Sequence, residues 1–466
     1  MPSSIIDRLL DVAGEGGSSS SPSTPPRWSS TAELPTTNAS SSSSSNLHRQ
    51  QQTQQDKEKR QRDEKEQRDE EKQQAAIQHF LRDSWLCVMK PTFRKWVTAM
   101  DGVDKLQTAT EELPTPREGE VLVKIHAVSV NYRDIEVCAG EYDHHPSLTA
   151  KRTIVPCSDM CGTVIDSGSK RIKQGTRVMA IFNQSHLHGD IREEDMGSGL
   201  GLPLPGVLAE YRCFPAESLV VVPDYLSNEE AACLPIASVT AWTAMNWLRP
   251  IGEPLGTDSN GHGGAKSILL QGTGGVAVAG AQIAKAAGLR TIITSSSDDK
   301  LKRAKDELKV DEGINYRTHW EWQDAVLKAT DGKGADIIFE TGGARTLRKS
   351  FGCVAFGGMI SCIGYLSGKN DDDGDGGDDD AGKTPQLHRL NVNVLALRRN
   401  VTLKGIINGS RDRFEEMVKF YEKHEIKPVV CKTFAFDEAK DALEYVKKGA
   451  HFGKVVIRVG EEEEKK

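Results

Sequence analysis

The stretch Ser267-Ile-Leu-Leu-Gln-Gly-Thr-Gly-Gly-Val-Ala277 decides the fold of this chain. A short apolar run leads into three glycines, and residues 276–288 then have the composition of a helix. We expect Gly272 to allow a tight turn, Gly274 to let the backbone approach a pyrophosphate, and Ala277 to let the helix pack closely on the strand. The N–H groups that begin the helix would then face the phosphates. The stretch therefore predicts a dinucleotide-binding turn between a strand and a helix.

The sequence on either side of this stretch predicts two kinds of sheet. From residue 227 onward, strand-like runs alternate with helical segments, which is typical of a parallel, doubly wound sheet. Those runs lie at 268–270, 291–294, 312–315, 336–339, 359–363 and 401–406. Residues 85–225 instead contain short strands separated by turn residues, such as the alternating run at 120–130. This earlier part is predicted to be a compact β domain.

The composition of the 466-residue chain excludes several classes of function. The net charge is −7, and the seven aspartates of residues 371–380 account for all of it, so no basic nucleic-acid face is indicated. No apolar run reaches the ~18 residues that a membrane span needs. The nine cysteines are scattered and include no C-x-x-C pair, which favours reduced thiols in a cytoplasmic compartment.

Two segments are predicted to be disordered. Residues 1–80 hold a Ser/Thr/Pro-rich part and a Gln/Glu/Lys/Arg-rich part, which bury too little apolar surface to fold. We interpret them as a solvated tail, with an arm for an unknown partner as the alternative. The N-terminus lacks the composition of a signal or transit peptide, which favours a cytoplasmic location. Residues 368–383 are interpreted as an acidic loop, and their spacing does not match an EF-hand calcium site.

From about residue 85 to residue 459, the chain resembles the medium-chain dehydrogenase/reductase superfamily. The similarity is to its zinc-independent, quinone-oxidoreductase-like branch and to zinc-type alcohol dehydrogenase-like proteins. The motifs, in the order of the family, are Val130-Asn-Tyr-Arg-Asp-Ile135 with Gly140-Glu-Tyr142, Val155-Pro-Cys-Ser-Asp-Met-Cys-Gly162, Leu234-Pro-Ile-Ala-Ser-Val-Thr-Ala-Trp242, the glycine turn, Ser295-Ser-Ser-Asp-Asp-Lys300 with Asn315-Tyr316, and His451-Phe-Gly-Lys454.

The resemblance implies an α/β architecture with two domains and an active site in the cleft between them. A GroES-like β-barrel over residues 85–225 would be completed by residues 412–460. A Rossmann domain with a doubly wound parallel sheet would span residues 226–411. The resemblance also implies a set of cofactor contacts, which are Thr240, Gly272, Thr273, Gly274, Gly275, Val276, Ser295, Ser296, Lys300, Tyr316, Gly364, Gly409, Ser410, Phe452 and Lys454.

The motifs also bear on zinc. Zinc-dependent members of the resembled family place a Cys ligand near Tyr132, and a histidine where this chain has Ser158. The cysteine-rich structural zinc loop of those members is absent too. Cys157 and Cys161 are interpreted as small buried residues, because no histidine is placed to join them in a three-ligand site. The sequence therefore predicts no metal, with a site built from loop histidines as the alternative.

The segment after the second strand indicates which nicotinamide cofactor binds. NAD-specific enzymes usually carry Asp or Glu about 20 residues after the glycines, where this chain has residues 294–297, Thr-Ser-Ser-Ser. Hydroxyls can donate to a 2′-phosphate, and Lys300 follows them. The resemblance adds Tyr316, at a position where relatives contact that phosphate. Asp298 and Asp299 point the other way and favour NADH. On the hydroxyls, Lys300 and Tyr316 together, NADPH is predicted, with NADH as the alternative.

The expected reaction is hydride transfer from NADPH to a quinone, an enone or a related carbonyl acceptor, a small-molecule substrate. Tyr132 is the candidate proton donor, with a packing role as its alternative. Asn131 and Asp134 are expected to shape the cleft and hold the cofactor. Rival interpretations are an alcohol or aldehyde reductase, and a non-catalytic NADPH-binding redox sensor or scaffold. The sequence is compatible with a homodimer.

Overall fold

The computed structural model describes residues 91–143, 145–146, 153–255, 266–368 and 391–460. The tail predicted over 1–80 and the aspartate run at 371–380 lie outside the described residues. The strands are β1 (Thr92–Val97), β2 (Gln107–Glu112), β3 (Glu120–Val130), β4 (Asp159–Ser167), β5 (Arg177–Ala180), β6 (Tyr211–Pro215), β7 (Leu219–Val221), β8 (Ser267–Gln271), β9 (Arg290–Ser295), β10 (Glu312–Asn315), β11 (Ala335–Glu340), β12 (Val354–Cys362), β13 (Thr402–Gly405), β14 (Val430–Ala435) and β15 (Lys454–Arg458).

The helices follow the alternation that the sequence predicts. They are α1 (Tyr132–Ala139), α2 (Asn228–Ala232), α3 (Val239–Asn246), α4 (Gly275–Ala286), α5 (Asp298–Leu308), α6 (Trp322–Ala329), α7 (Leu347–Cys353), α8 (Val392–Arg399), α9 (Arg411–His424) and α10 (Ala439–Lys447). A π-helical turn, Leu234–Ser238, joins α2 to α3.

Six strands form a parallel sheet in the order β10-β9-β8-β11-β12-β13. The order reverses at β8, and all five β8 residues are buried because helices cover both faces of the sheet. Loops that follow adjacent strands therefore meet at the carboxyl edge of the sheet, on either side of β8. The predicted Rossmann architecture is confirmed.

A second sheet of seven strands is largely antiparallel, in the order β14-β15-β3-β4-β5-β7 with β6 also paired to β3. Its long strand β3 is buried along most of its length, and only Glu120, Lys124 and His126 are partly exposed. The last two strands come from the far end of the chain, and β15 pairs antiparallel with β3. The GroES-like part is therefore closed by residues that follow the nucleotide-binding part.

The sequence predicts that the chain returns to this second sheet at residue 412. In the structure it pairs with that sheet later. Helix α9 packs on α3 instead: the Trp242 and Phe420 rings lie 5.0 Å apart, and Trp242 Nε1 donates to Glu416 Oε2 at 2.8 Å. The chain joins the antiparallel sheet only at Val430. The division at residue 412 stays a prediction, and the packing favours a later boundary.

Helix α4 also approaches the sheet closely at Gly280, about one turn beyond Ala277. A Cβ at Gly280 would lie 2.8 Å from Phe339 Cε2 and 2.9 Å from Leu270 Cδ2. Ala277 is itself buried, but it lines a cleft. The small-residue requirement of this helix therefore extends beyond the glycine turn.

We expect Gly280→Ala to destabilise the protein. Overpacking against Phe339 costs about 1–3 kcal/mol, and the better helix propensity of alanine returns about 1 kcal/mol of it. The matched control is Gly352→Ala in α7. An added Cβ there would be in ordinary contact with the Gln323 side chain, at 3.5 Å from its Cγ and 3.9 Å from its Cβ. Thermal unfolding should show a lower Tm for the first variant and an equal or higher Tm for the second. A shift in the same direction for both would contradict this account.

Candidate active site

A cleft of about 600 Å³ lies along the carboxyl edge of the parallel sheet, between that edge and the segment that begins α1. It collects most residues that the sequence predicts as a site. Those that line it are Asn131, Tyr132, Thr240, Gly272, Thr273, Gly274, Gly275, Val276, Ser295, Ser296, Lys300, Tyr316, Gly364 and Lys454. Asp134, Gly409, Ser410 and Phe452 are not among its lining residues.

The strand order divides the cleft into two ends. Tyr316 follows β10, Ser295 ends β9 and the glycine turn follows β8, so these lie on one side, called here the glycine end. Tyr365 and Leu366 follow β12 on the other side of β8. Together with Tyr132, Glu136 and Tyr142 of the α1 segment they form the second end, called here the tyrosine end.

The glycine turn has the geometry of a phosphate site. Gly272 has φ of +82°, a conformation that strains other residues. Gly274 is the N-cap of α4, whose first N–H groups have no partners within the helix and face the cleft. A Cβ at Gly275 would lie 2.6 Å from Lys454 Cδ, so this glycine lets the lysine side chain cross the start of the helix.

Hydroxyls and a lysine form the part of the glycine end beyond the turn. Ser295, Ser296, Lys300 and Tyr316 line it, and Lys300 Nζ donates to the carbonyl of Gly449 at 2.7 Å. Burial lowers the pKa of the Lys300 ammonium. 

The carboxylates that favour NADH do not line the cleft. Asp298 Oδ1 accepts from Asn315 Nδ2 at 2.8 Å, and neither Asp298 nor Asp299 is among the lining residues. An anion at this end would therefore meet hydroxyls and an ammonium rather than a carboxylate.

A buried ammonium stands between the glycine turn and α1. Lys454 Nζ donates to the Val130 carbonyl at 2.8 Å and to Asn131 Oδ1 at 2.5 Å, and it lies 3.8 Å from Asp159 Oδ2. The side chain of Asp159 is fully buried and that of Lys454 is 7% exposed. Burial raises the pKa of Asp159, while the nearby Lys454 charge acts in the opposite direction.

The same carboxylate is held by two further donors. Ser158 Oγ donates to Asp159 Oδ1 at 3.1 Å, and the Ile236 N–H donates to Oδ2 at 3.2 Å. The π-helical turn supplies the Ile236 donor, in agreement with the frequent use of such turns at functional sites. Both carboxylate oxygens of Asp159 therefore have partners inside the protein.

The donors at this place do not fit a zinc ion. Zinc prefers thiolate, imidazole and carboxylate ligands, whereas Asn131 and Ser158 offer an amide and a hydroxyl. The carboxylates here are already paired: Asp159 faces the Lys454 ammonium and Asp134 faces the Arg133 guanidinium, and these positive charges would oppose a further cation. Over the described ranges, no group of three or more His, Cys, Asp or Glu side chains is arranged to hold a metal. Cys157 and Cys161 are buried, as the sequence suggests.

Tyr132 is the first residue of α1 and is half-exposed at the tyrosine end. Partial burial and then the charges of Glu136 and Glu141 raise the pKa of its phenol. The hydroxyl therefore stays protonated at neutral pH, and it can donate to an oxygen that enters the cleft.

Asp134 lies behind the cleft wall, fully buried. It accepts from the Asn131 N–H at 2.8 Å and from Arg133 Nη1 at 3.3 Å, so it caps α1 and holds Asn131 and Arg133 in place. Burial raises the pKa of Asp134 to about 6, and the Arg133 charge opposes that shift. This geometry suits a residue that positions Asn131 and, through the cap, the first turn of α1, which carries Tyr132.

Three predicted cofactor residues are placed apart from the cleft. Gly409 and Ser410 line a separate cavity of about 170 Å³ beside α9. Phe452 is fully buried, with the Arg303 guanidinium 4.4 Å from its ring centroid. His451, which precedes Phe452, faces the cleft; burial, then Lys300 and Lys454, lower its pKa to about 4.

The sequence reasoning missed several residues that line the cleft. Tyr365 donates to both Glu136 oxygens at 2.9 Å and so links the β12 loop to α1. Lys447 and Lys448, at the end of α10, line the glycine end. Tyr365 could have been found from its place directly after a strand of the parallel sheet, where ligands bind. No sequence motif connects it with Glu136.

Comparison with known proteins agrees with this architecture. A family model described as alcohol dehydrogenase GroES-like domain matches residues 117–224, and one described as zinc-binding dehydrogenase matches residues 275–423. A zinc-type alcohol dehydrogenase-like protein of Schizosaccharomyces pombe is 36% identical over 363 residues, which cover 77% of this chain and 97% of that protein. The chain belongs to the medium-chain dehydrogenase/reductase superfamily.

Two further relatives extend the comparison. A quinone oxidoreductase-like protein 2 homolog of Nematostella vectensis is 24% identical over 361 residues, covering 75% of this chain and 83% of that protein. The crystal structure of a putative alcohol dehydrogenase from Sinorhizobium meliloti 1021 matches with a TM-score of 0.65 and 33% identity, over 80% of this chain and all of that chain.

The protein is therefore an oxidoreductase of this superfamily, whose members depend on nicotinamide cofactors. The predicted family and the predicted α/β fold with GroES-like and Rossmann parts are confirmed. None of the helices in the described ranges has the length and hydropathy that a transmembrane span requires.

Proposed function

We propose that this superfamily member transfers hydride from NADPH to a quinone, an enone or a related carbonyl acceptor, without zinc. The observation that carries the proposal is the Lys454 ammonium between Asn131 Oδ1 and Asp159 Oδ2, because it places a cation directly beside Ser158, the position at which the resembled zinc-dependent members carry a histidine. An alcohol oxidation without a metal would need a strong base to remove the hydroxyl proton. Reduction of an electron-poor acceptor needs only a proton donor beside the hydride path.

The glycine end supports binding of the cofactor. The N–H groups that begin α4 would hold the pyrophosphate, and the Ser295 and Ser296 hydroxyls with Lys300 would hold a 2′-phosphate. Lys300 would exchange its present bond to Gly449 for the phosphate. The cofactor supplies the hydride when it is bound.

The tyrosine end supports the second half of the reaction. Tyr132 presents a protonated hydroxyl to the cleft, where it would donate to the oxygen that gains negative charge in the acceptor. Asp134 would fix Tyr132 indirectly, through the cap of α1. Ile363 and Leu366 line the same region and would exclude water from it.

We expect Lys300→Ala to weaken NADPH binding roughly tenfold or more, since a charge-assisted hydrogen bond contributes about 1.5–3 kcal/mol. NADH lacks the 2′-phosphate, so its affinity should hardly change. The matched control is Lys302→Ala, which removes an exposed lysine from the same helix, outside the cleft lining. Calorimetric titration of both cofactors measures the effect. Equal losses for NADPH and NADH would show that Lys300 acts through structure alone.

The proposed function is tested by a screen of the purified full-length protein with quinones, enones and aldehydes, each with NADPH and with NADH. Metal content is measured on the same sample, and activity is measured before and after treatment with a chelator. Turnover of quinones or enones with NADPH, without stoichiometric zinc, supports the proposal. One zinc per chain with activity lost on chelation would overturn its zinc-independent part.

A second candidate is an alcohol or aldehyde reductase. The S. pombe and S. meliloti relatives, whose names refer to alcohol dehydrogenases, favour it. The same screen separates the two candidates, because this one predicts faster turnover of aldehydes than of enones. Tight NADPH binding without turnover of any acceptor would instead favour a redox sensor or scaffold.

A further inference from the structure

The loop between α10 and β15 carries His451 to a fixed place beside the glycine turn. The Gly453 N–H donates to the Thr273 carbonyl at 3.1 Å, and Gly453 forms a parallel β-bridge with Gly274. Gly453 has φ of +81°, and a Cβ there would lie 2.5 Å from the Val429 carbonyl oxygen, so only glycine fits at this position. The backbone on which His451 stands is therefore tied to the turn that begins α4.

The two nitrogens of the His451 ring have different surroundings. A Cβ added to Gly274, the N-cap of α4, would lie 3.9 Å from Nε2, so this nitrogen is close to the start of the helix. Nδ1 is buried and has no hydrogen-bond partner. A proton on Nδ1 would bury an N–H group without an acceptor, which is costly. The tautomer with the proton on Nε2 avoids this cost and offers a donor beside the helix start.

His451 is uncharged at neutral pH. Burial lowers its pKa to about 4, and the positive charges of Lys300 from α5 and of Lys454 from β15 act in the same direction. Lys447 and Lys448, at the end of α10, line the same end of the cleft and add positive charge. A neutral donor suits this position better than a further cation, because it does not oppose the ammonium groups around it.

We propose that His451 binds the pyrophosphate of the cofactor, with its uncharged imidazole donating from Nε2 to a phosphate oxygen at the first turn of α4. The inference rests on the cofactor half of the proposed function, since it adds a residue to that site. The pyrophosphate is common to NADPH and NADH, whereas the 2′-phosphate that Lys300 would hold is not. His451 should therefore contribute to the affinity for both cofactors, and Lys300 to the affinity for NADPH alone.

The test is calorimetric titration of the full-length protein and of His451→Phe with NADP⁺, NAD⁺ and adenosine 2′-phosphate. Phenylalanine keeps a planar ring without a donor, and the buried Nδ1 has no partner to lose. We expect NADP⁺ and NAD⁺ to bind the variant about tenfold more weakly, which corresponds to about 1.4 kcal/mol. Adenosine 2′-phosphate has no pyrophosphate, so its affinity should be unchanged.

Two further variants assign the loss to its cause. His451→Gln keeps an N–H donor on the side chain, so it should recover most of the affinity for both dinucleotides. His424→Phe, on an exposed histidine at the end of α9 and outside the cleft lining, is the matched control and should have no effect. Thermal unfolding of each variant, measured before the titrations, shows that it is folded.

A measurement on the wild-type protein does not depend on how His451→Phe folds. Nitrogen NMR of the protein with isotope-labelled histidine distinguishes a neutral Nε2–H ring from an imidazolium. At pH 7 one neutral Nε2–H signal should shift when NAD⁺ is added and stay in place when adenosine 2′-phosphate is added. The signal that is missing from His451→Gln identifies the residue.

The outcomes separate this inference from the proposed reaction. Unchanged affinity of His451→Phe for NAD⁺ would overturn the inference, and so would a His451 signal that does not respond to NAD⁺ or that becomes an imidazolium. Equal losses for all three ligands would overturn it too, because His451 would then act through structure alone. Losses confined to NADP⁺ and NAD⁺, with no turnover of any acceptor, would sustain the inference and reject the proposed reaction.

Discussion

Replacing Lys454 by methionine should lower the free energy of unfolding by about 3–5 kcal/mol, because it leaves Asp159 as an uncompensated buried charge. Methionine keeps the length of the unbranched stem, which runs across Gly275 at the start of α4. The Val130 carbonyl and Asn131 Oδ1 lose their donor at the same time. Urea unfolding of the wild-type protein and the variant measures the loss.

The control for this prediction is the double variant Lys454→Met/Asp159→Asn, which removes both charges of the pair. It should recover a large part of the lost stability, since an uncharged amide is far less costly to bury than an unpaired carboxylate. Additive losses for the two substitutions would mean that Lys454 and Asp159 do not interact, despite their 3.8 Å separation. The role of Lys454 as the internal cation of the site would then be lost.

The parallel sheet was predictable because its strands are short apolar runs bounded by turn residues. The runs at 291–294 and 336–339 lie within β9 and β11, and a fully buried strand needs no alternation to be recognised. The glycine turn added a predicted position for the cofactor, since a strand, a glycine-rich turn and a helix in that order are typical of a dinucleotide-binding site.

Strands at the margin of the fold gave weaker signals. Gln107–Glu112 pairs with Thr92–Val97, yet it is polar and almost entirely exposed, so it lacks the apolar face that predicts a strand. The π-helical turn at Leu234–Ser238 was also missed. Its largely apolar sequence continues directly into α3, so no motif marks the turn, and the hydrogen bond from the Ile236 N–H to Asp159 is seen only in the structure.

The candidate site was predictable where each residue acts through its own motif. Ser295 and Tyr316 each end or follow a strand, so the order of the sheet brings them to one edge. Glu136 and Tyr365 are 229 positions apart and meet only because the β12 loop faces α1. Gly409 and Ser410 were assigned by resemblance to a position in the chain, which does not fix the cavity that a loop will line.

Tyr132→Phe should reduce kcat for quinone or enone reduction by about 10²- to 10⁴-fold, the usual contribution of a positioned proton donor. NADPH affinity should be unchanged, because the lost hydroxyl belongs to the tyrosine end. Burial and then the Glu136 and Glu141 charges raise the pKa of Tyr132, so the donor form is lost only as the pH rises above its ordinary value of 10. The wild-type kcat should therefore show no decrease attributable to Tyr132 at neutral pH. The solvent isotope effect on the wild-type kcat should disappear in the variant.

Tyr211→Phe, outside the cleft lining, is the matched control. A kcat for Tyr132→Phe within twofold of the wild-type value would assign Tyr132 to packing and leave the proton to come from water.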